Sequence, residues 1–156
     1  MLVIHNISLP PGEFGGPAII DLLANRLDPA GHPSFESLST VRVSAHFLIR
    51  RDGELLQFVP CSRRAWHAGA SSWQGRERCN DFSIGVELEG TDHLPYSDAQ
   101  YAVLARLTRA LHRRYPVASI AGHDQIAPGR KTDPGPAFDW SRYRALIGRR
   151  RSGRAR

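Results

Sequence analysis

Apolar residues in this chain come in short blocks, and the stretches between them are dominated by proline, glycine, serine and aspartate. Leu2 to His5 is an apolar run closed by an imidazole, the pattern of a buried strand. A Pro/Gly-rich loop follows from Asn6 to Gly16. Pro17 suits the first position of a helix, and Ile19, Ile20, Leu22 and Leu23 give that helix an apolar face to about Ala24. From Asn25 to Thr40 no period holds, which predicts a long loop. Val43 to Arg50 and Glu54 to Val59 are strand-like and flank Asp52-Gly53, a hairpin turn pair. Cys61 to Asp81 reads as loop, with Trp66, His67 and Trp73 embedded in it. Phe82 to Leu88 predicts a buried strand ending in Glu87-Leu88-Glu89-Gly90. Ser97 and Gln100 have capping-box spacing, Leu104, Leu107 and Leu111 continue that helix, and Tyr115-Pro116 stops it after Arg114. Ala118 to Ala121 is a short strand leading to His123, and Asp139 or Ser141 can cap a last helix ending near Gly148. The elements predict an α/β fold: a single domain over residues 1–148, with a central mixed β-sheet flanked by α-helices.

With 156 residues, 41% of them hydrophobic, the chain can bury one full core. No apolar run approaches the roughly 20 residues that span a bilayer. The opening Met1-Leu2-Val3-Ile4-His5 lacks the basic and extended apolar regions of a signal peptide, so no membrane association is expected. Cys61 and Cys79 make no disulfide framework and suit a reducing compartment, which points to the cytoplasm. The net charge of +6 raises a nucleic-acid reading. Five arginines (149, 150, 151, 154 and 156) lie in the last eight residues, and taking them from the 21 basic side chains leaves 16 against 15 acidic ones. Residues 149–156 therefore read as a basic, disordered tail. With no basic and aromatic side chains interleaved on one face elsewhere, no nucleic-acid partner is expected, and no obligate protein partner is indicated.

The charge inventory changes the picture at one residue. Lys131 is the only lysine beside twenty arginines. A compact ammonium on a flexible stem serves where a planar guanidinium does not, for example against a developing negative charge. Lys131 lies in Gly122-His123-Asp124-Gln125-Ile126-Ala127-Pro128-Gly129-Arg130-Lys131-Thr132-Asp133-Pro134-Gly135, a segment stiffened by proline and glycine that also carries an imidazole and a carboxylate. His5, His123 and Asp133 stand at strand ends and in loops, and two imidazoles with a carboxylate make a three-ligand zinc set that leaves a fourth position for water. Glu87, leaving an apolar strand, is placed to move a proton from that water to a leaving nitrogen. Lys131 can then neutralise the oxyanion. These are the parts of a metal-assisted amide hydrolase.

Each residue also has an ordinary explanation. A strand-end histidine is commonly a core or turn residue, and aspartate before Pro134-Gly135 is a common turn former. Glu89 stands two residues beyond Glu87 on the same face of a regular strand, as an equally exposed competitor. His46 and His67 are rival ligands; His32, His93 and His112 have solvated settings. There is no His-Glu-x-x-His motif, and 118 residues separate His5 from His123, so convergence depends on the fold.

Several longer motifs carry a resemblance. They are Asn6-Ile7-Ser8-Leu9-Pro10-Pro11-Gly12-Glu13-Phe14-Gly15-Gly16 after His5, Arg42-Val43-Ser44-Ala45-His46, Trp66-His67-Ala68-Gly69, the run from Gly75 to Asp92, and the segment from His123 to Phe138. Together they resemble the AmpD-type 1,6-anhydro-N-acetylmuramoyl-L-alanine amidases. Those are bacterial cytoplasmic zinc enzymes in the broad amidase family that also holds a phage lysozyme and the peptidoglycan recognition proteins. The resemblance implies that fold, zinc on His5, His123 and Asp133, Glu87 as acid/base and Lys131 beside the scissile carbonyl. It implies hydrolysis of the bond between the lactyl group of anhydromuramic acid and L-alanine during recycling of wall fragments, with an anhydro-muropeptide as the partner. Asn6, Arg42, Trp66 and Arg78 match positions that line the substrate cleft, and the two arginines suit bidentate grip of peptide-stem carboxylates. His46 and His67 then take supporting roles. Two departures stand out: the family carries a further segment ahead of the first strand, and an aromatic where this chain has Ser34. The same fold also serves recognition proteins that hold muropeptides without cutting them, so a non-catalytic binding module is the competing expectation.

Overall fold

The computed structural model describes residues 1–148, and the basic tail expected at 149–156 lies outside them. Among the described residues, seven strands and four α-helices follow one another: β1 (Leu2–Ile7), α1 (Ala18–Leu23), β2 (Phe47–Ile49), β3 (Leu55–Gln57), β4 (Ser72–Trp73), β5 (Arg76–Glu77), β6 (Ile84–Glu89), α2 (Asp98–Arg114), β7 (Ile120–Gly122), α3 (His123–Ile126) and α4 (Trp140–Gly148). Five strands form one sheet in the order β3-β2-β6-β1-β7, parallel throughout except that β3 runs antiparallel to β2. This is the expected mixed sheet flanked by helices.

One face of the sheet carries Leu2, Ile4, Phe47, Ile49, Ile84, Val86 and Leu88, and packs against Leu104, Leu107 and Leu111 of α2 and Tyr143 of α4. Alternation sends Val3, His5, Gly85, Glu87 and Glu89 to the other face. There Val3 joins Ala68, Cys79, Ala121 and Ile126 in one small cluster, while Leu48 joins Ile19, Leu22 and Phe35 in another, with Ile7 packed against it. His5 lies between Val3 and Ile7 on β1, in the gap between the two clusters.

The capping box forms as expected: Ser97 Oγ accepts from the Gln100 amide, and Gln100 Oε1 accepts from the Ser97 amide. Buried Gln100 Nε2 also donates to the carbonyls of Ile49 and Glu89, tying α2 to β2 and β6. Tyr115 turns to an extended conformation ahead of Pro116, which ends α2. Asp139 is the residue that caps α4, its Oδ1 accepting from the Arg142 amide.

Several boundaries differ from the sequence reading. β1 runs on to Ile7 because Asn6 and Ile7 pair in register with Leu88 and Glu89. The stretch expected as featureless loop at 25–40 contains 3-10 turns at Pro29–Gly31 and Pro33–Leu38, capped by the side chains of Asp28 and His32, and the second buries Phe35. His32 is thus a capping residue, bonded to both the amide and the hydroxyl of Ser34. Between 61 and 81 a small hairpin, β4 with β5, turns at Gln74 and Gly75, both with positive φ (51° and 80°). Such local turns carry no hydrophobic period to read.

Glu89 is not the exposed competitor of Glu87 that alternation suggested. It is 1% exposed, and its two oxygens accept from the amides of Gly15 (2.7 Å) and Arg51 (3.0 Å), with the Arg50 guanidinium 3.6 Å away. The carboxylate fastens the loop after β1 to the β2–β3 turn. Glu89→Gln removes the charge that these donors share and is expected to cost about 1.5–3 kcal/mol. A thermal melt lowered by several degrees checks this, and an unchanged melting temperature contradicts it.

Candidate metal centre

The site stands at the carboxyl ends of parallel strands, the usual place for chemistry on an open α/β sheet. His5 comes from β1 and is paired in register with Glu87 of β6. His123 is the first residue of α3, directly after β7, rather than a loop residue as expected. Asp133 is presented by a loop anchored on both sides. Its carbonyl accepts from the Asp124 amide (2.9 Å), and the next carbonyl, Pro134, accepts from Tyr96 OH (2.7 Å) and Asn6 Nδ2 (3.2 Å). Gly135 completes the loop at φ +79°, where an added Cβ would lie 2.3 Å from the Asp92 Cα. Only glycine allows this approach, which brings Asp92 to accept from Asn6 Nδ2 at 2.7 Å.

His5 Nδ1 and His123 Nδ1 are 3.0 Å apart, and each is 3.1 Å from Asp133 Oδ2. The three are the one group of its kind among the described residues, and His46 and His67 are not part of it. His123 directs Nε2 at the Ala68 carbonyl (3.1 Å), which only accepts, so the ring donates there while Nδ1 faces His5 and Asp133. Burial pushes His5 down to about 4, so this imidazole is neutral at pH 7. Burial pushes the Asp133 carboxyl up, but the two imidazoles beside it outweigh burial and hold it below its ordinary 3.8. Two imidazole nitrogens and a carboxylate oxygen thus converge on one point, a donor set that suits a cation. Tetrahedral zinc with arms of ~2.0–2.1 Å separates its ligand atoms by about 3.3–3.4 Å. The observed 3.0–3.1 Å is about 0.3 Å tighter, a gap that small side-chain shifts would close around such an ion.

Glu87 flanks this group. It is 9% exposed, and its Oε2 is buried with no hydrogen-bond partner among the described residues. Burial and then the charge of Asp133 raise its carboxyl well above 4.5, while the charge of Lys131 pulls it back. Lys131 is itself exposed on the loop between α3 and Asp133, and its charge also opposes protonation of His5. Two carboxyls on one strand face therefore differ in kind: Glu89 accepts a backbone amide on each oxygen, and Glu87 has a buried oxygen with no partner among the described residues.

The remaining candidates lie around this centre. Trp66 is 56% exposed, with the Arg64 guanidinium stacked over its ring at 3.8 Å. Asp81 pairs with both Arg64 (3.0 Å) and Arg78 (3.3 Å), joining the indole and two cations in one surface patch. Arg64 had no sequence signal of its own. Arg78 also lines a cavity of about 520 Å³ together with Ser71, Glu77, Pro128 and Arg130. Arg42 is exposed two residues before Ser44, whose amide donates to the Trp66 carbonyl. Asn6 points to the opposite sheet face from His5, and its amide braces the Asp92 and Pro134 carbonyl positions described above. His67, a rival ligand in the sequence, is within 2.8 Å of His5 Nε2 and is kept neutral by burial and by the neighbouring His5, His46 and His123.

The family model described as N-acetylmuramoyl-L-alanine amidase matches residues 1–136. The 1,6-anhydro-N-acetylmuramyl-L-alanine amidase AmpD of Citrobacter freundii is 64% identical over 149 residues, covering 94% of this chain and 80% of that protein. A crystal structure of a selenomethionine AmpD derivative, also 64% identical, superposes with a TM-score of 0.92 over 94% of this chain and 83% of that one. The Escherichia coli amidase AmiD, in complex with anhydro-N-acetylmuramic acid-L-Ala-D-gamma-Glu-L-Lys, is 31% identical with a TM-score of 0.67, covering 93% of this chain and 56% of that one.

The orphaned Glu87 carboxyl has a measurable consequence in metal-free protein. A carboxyl raised by folding holds its proton more tightly in the folded state, so its contribution to stability is complete below the unfolded value of 4.5 and is lost as pH rises through the folded one. Metal-free Glu87→Gln is therefore expected to melt a few degrees higher than wild type at pH 7, with the difference closing as pH falls toward 4. Equal melting temperatures across that range would show that the carboxyl is solvated or paired.

Proposed function

Because the chain belongs to the N-acetylmuramoyl-L-alanine amidase family, we propose that it hydrolyses the amide between 1,6-anhydro-N-acetylmuramic acid and L-alanine in muropeptides, using one zinc ion held by His5, His123 and Asp133. The observation that carries the reading is the convergence of three metal-ligand atoms beside a buried carboxyl without a partner. The activity for which AmpD is named and the ligand of the AmiD complex support the substrate class.

Bound there, zinc supplies Lewis acidity toward the scissile carbonyl and lowers the pKa of a water toward about 7. Glu87 receives the proton of the attacking water, and the hydroxyl adds to the carbonyl carbon. A carboxyl raised by burial takes up that proton more readily than an ordinary carboxylate, and Glu87 then passes it to the more basic alanine nitrogen as the carbon–nitrogen bond breaks. The Lys131 ammonium stands against the carbonyl oxygen as it becomes negative. Trp66 offers an apolar face to the sugar, while Arg42 and Arg78 grip carboxylates of the peptide stem. Asn6 acts by holding the Asp133 loop. The expected setting is wall-fragment recycling in the cytoplasm, in keeping with two free cysteines. Among the described residues, no helix is long and apolar enough to cross a membrane.

Metal analysis of purified protein, then an assay on anhydromuramyl-tripeptide with and without chelator, tests the reading: about one zinc per chain, and release of free peptide that stops on chelation and returns with zinc. Stoichiometric binding without release would instead favour a recognition module. Lys131→Arg is expected to keep its zinc and lose one to several orders of magnitude in turnover, on the order of 2–4 kcal/mol. Glu87→Gln should likewise retain metal and lose about 10²–10⁴ in rate, while His5→Ala should lose zinc itself. Wild-type turnover from either of the first two variants would remove that residue from the chemistry.

A further inference from the structure

Resting on this zinc reading, we propose that His67 and Ser83 are positioning residues that fix the tautomer of His5 and so turn its Nδ1 lone pair toward the metal. The direction of the chain of hydrogen bonds is set at its far end. The Cys79 carbonyl can only accept, so Ser83 Oγ donates its single proton there, at 2.6 Å. Ser83 then has only acceptor capacity left for His67 Nε2, 3.2 Å away, and His67 carries its proton on that nitrogen. His67 Nδ1 is in consequence a lone pair, and His5 Nε2, at 2.8 Å, is the donor. A neutral His5 protonated at Nε2 is bare at Nδ1, the atom that meets His123 and Asp133. Reversing the chain would require Ser83 to donate two protons from one hydroxyl.

The surroundings hold His67 to this task. Asn80 Oδ1, buried, accepts from the amides of both His67 (3.1 Å) and Ala68 (2.8 Å). Gly85 lies under the ring, where an added Cβ would fall 2.5 Å from it, which explains a glycine inside a buried strand. The His46 ring stands edge-on at 5.7 Å and is itself locked, accepting from the Gly85 amide at Nδ1 and donating from Nε2 to the Arg63 carbonyl. The neighbouring Ala68 supplies the carbonyl that orients His123. One segment, Trp66-His67-Ala68-Gly69, therefore orients both imidazole ligands, through a side chain for one and a main-chain oxygen for the other.

The proton positions are read directly from ¹⁵N-labelled histidines in metal-free protein at a pH where the rings are neutral. His5 and His67 are both expected as the Nε2–H tautomer, and a wild-type His5 protonated at Nδ1 overturns the proposal. Zinc affinity, measured by competition with a chromogenic chelator, should fall about 10–100-fold in His67→Phe, the usual effect of removing a partner of a metal-bound imidazole. His67→Gln, which keeps an oxygen able to accept from His5, should recover most of that loss. Ser83→Ala, the smallest change, should give mixed tautomer signals at His67. Wild-type zinc affinity in His67→Phe, or equal losses in the Phe and Gln variants, would reduce His67 to a space-filling role. Failure of the wild-type protein to take up zinc at all is a different result and sinks the zinc reading itself.

Discussion

Three potential ligand atoms, two imidazole nitrogens and a carboxylate oxygen, are held within 3.1 Å of one another on the inner face of this sheet. Such an arrangement suits a cation at its centre, and the fold must hold it in place from outside. Much of the polar structure around the sheet does so. The Asp133 loop is pinned through the carbonyls on either side of its peptide links, by Asp124 from within and by Tyr96 and Asn6 from the far face. The two imidazoles are each held by the nitrogen that does not face the centre. A site of this kind is expected to bind metal with little reorganisation, because the ligands are already oriented before the ion arrives.

The same economy separates the two glutamates of β6. Glu87 and Glu89 share a sheet face and near-complete burial, yet Glu89 accepts a backbone amide on each oxygen with an arginine nearby, and Glu87 has an oxygen with no partner among the described residues. The first is a fastening between loops. The second retains a raised proton affinity that metal-assisted hydrolysis can use, and the sparse charge of Lys131 acts against the raised value from solvent. Stability is given up at Glu87 and recovered at Glu89, two residues away.

Outside the centre the surface presents an indole and guanidinium groups side by side, the chemistry that the proposed muropeptide substrate calls for. Trp66 is exposed but stacked, its ring covered by Arg64, whose other partner Asp81 also holds Arg78. These cations are tethered rather than free, which lowers the entropy lost when an anionic stem is gripped.

Local physics was legible in the residue order. The first strand as far as His5, though not its continuation to Ile7, the capping box of α2 and the stop at Tyr115-Pro116 follow from periodicity and capping chemistry, each decided within a few neighbouring residues, and the mixed sheet follows from the order of the elements. The residue types of the candidate centre were legible too, with Lys131 marked by its solitude among arginines. The partnerships were not. Whether Glu87 or Glu89 is open, whether His67 ligates or orients, and why Gly85 has no side chain depend on contacts spanning tens of residues, set by parallel pairing of β1 with β6 and β7. Alternation assigns a side chain to a face, but only the packed chain determines which donors and acceptors reach it, because a hydrogen bond is a matter of a few tenths of an ångström between groups that sequence distance leaves unrelated.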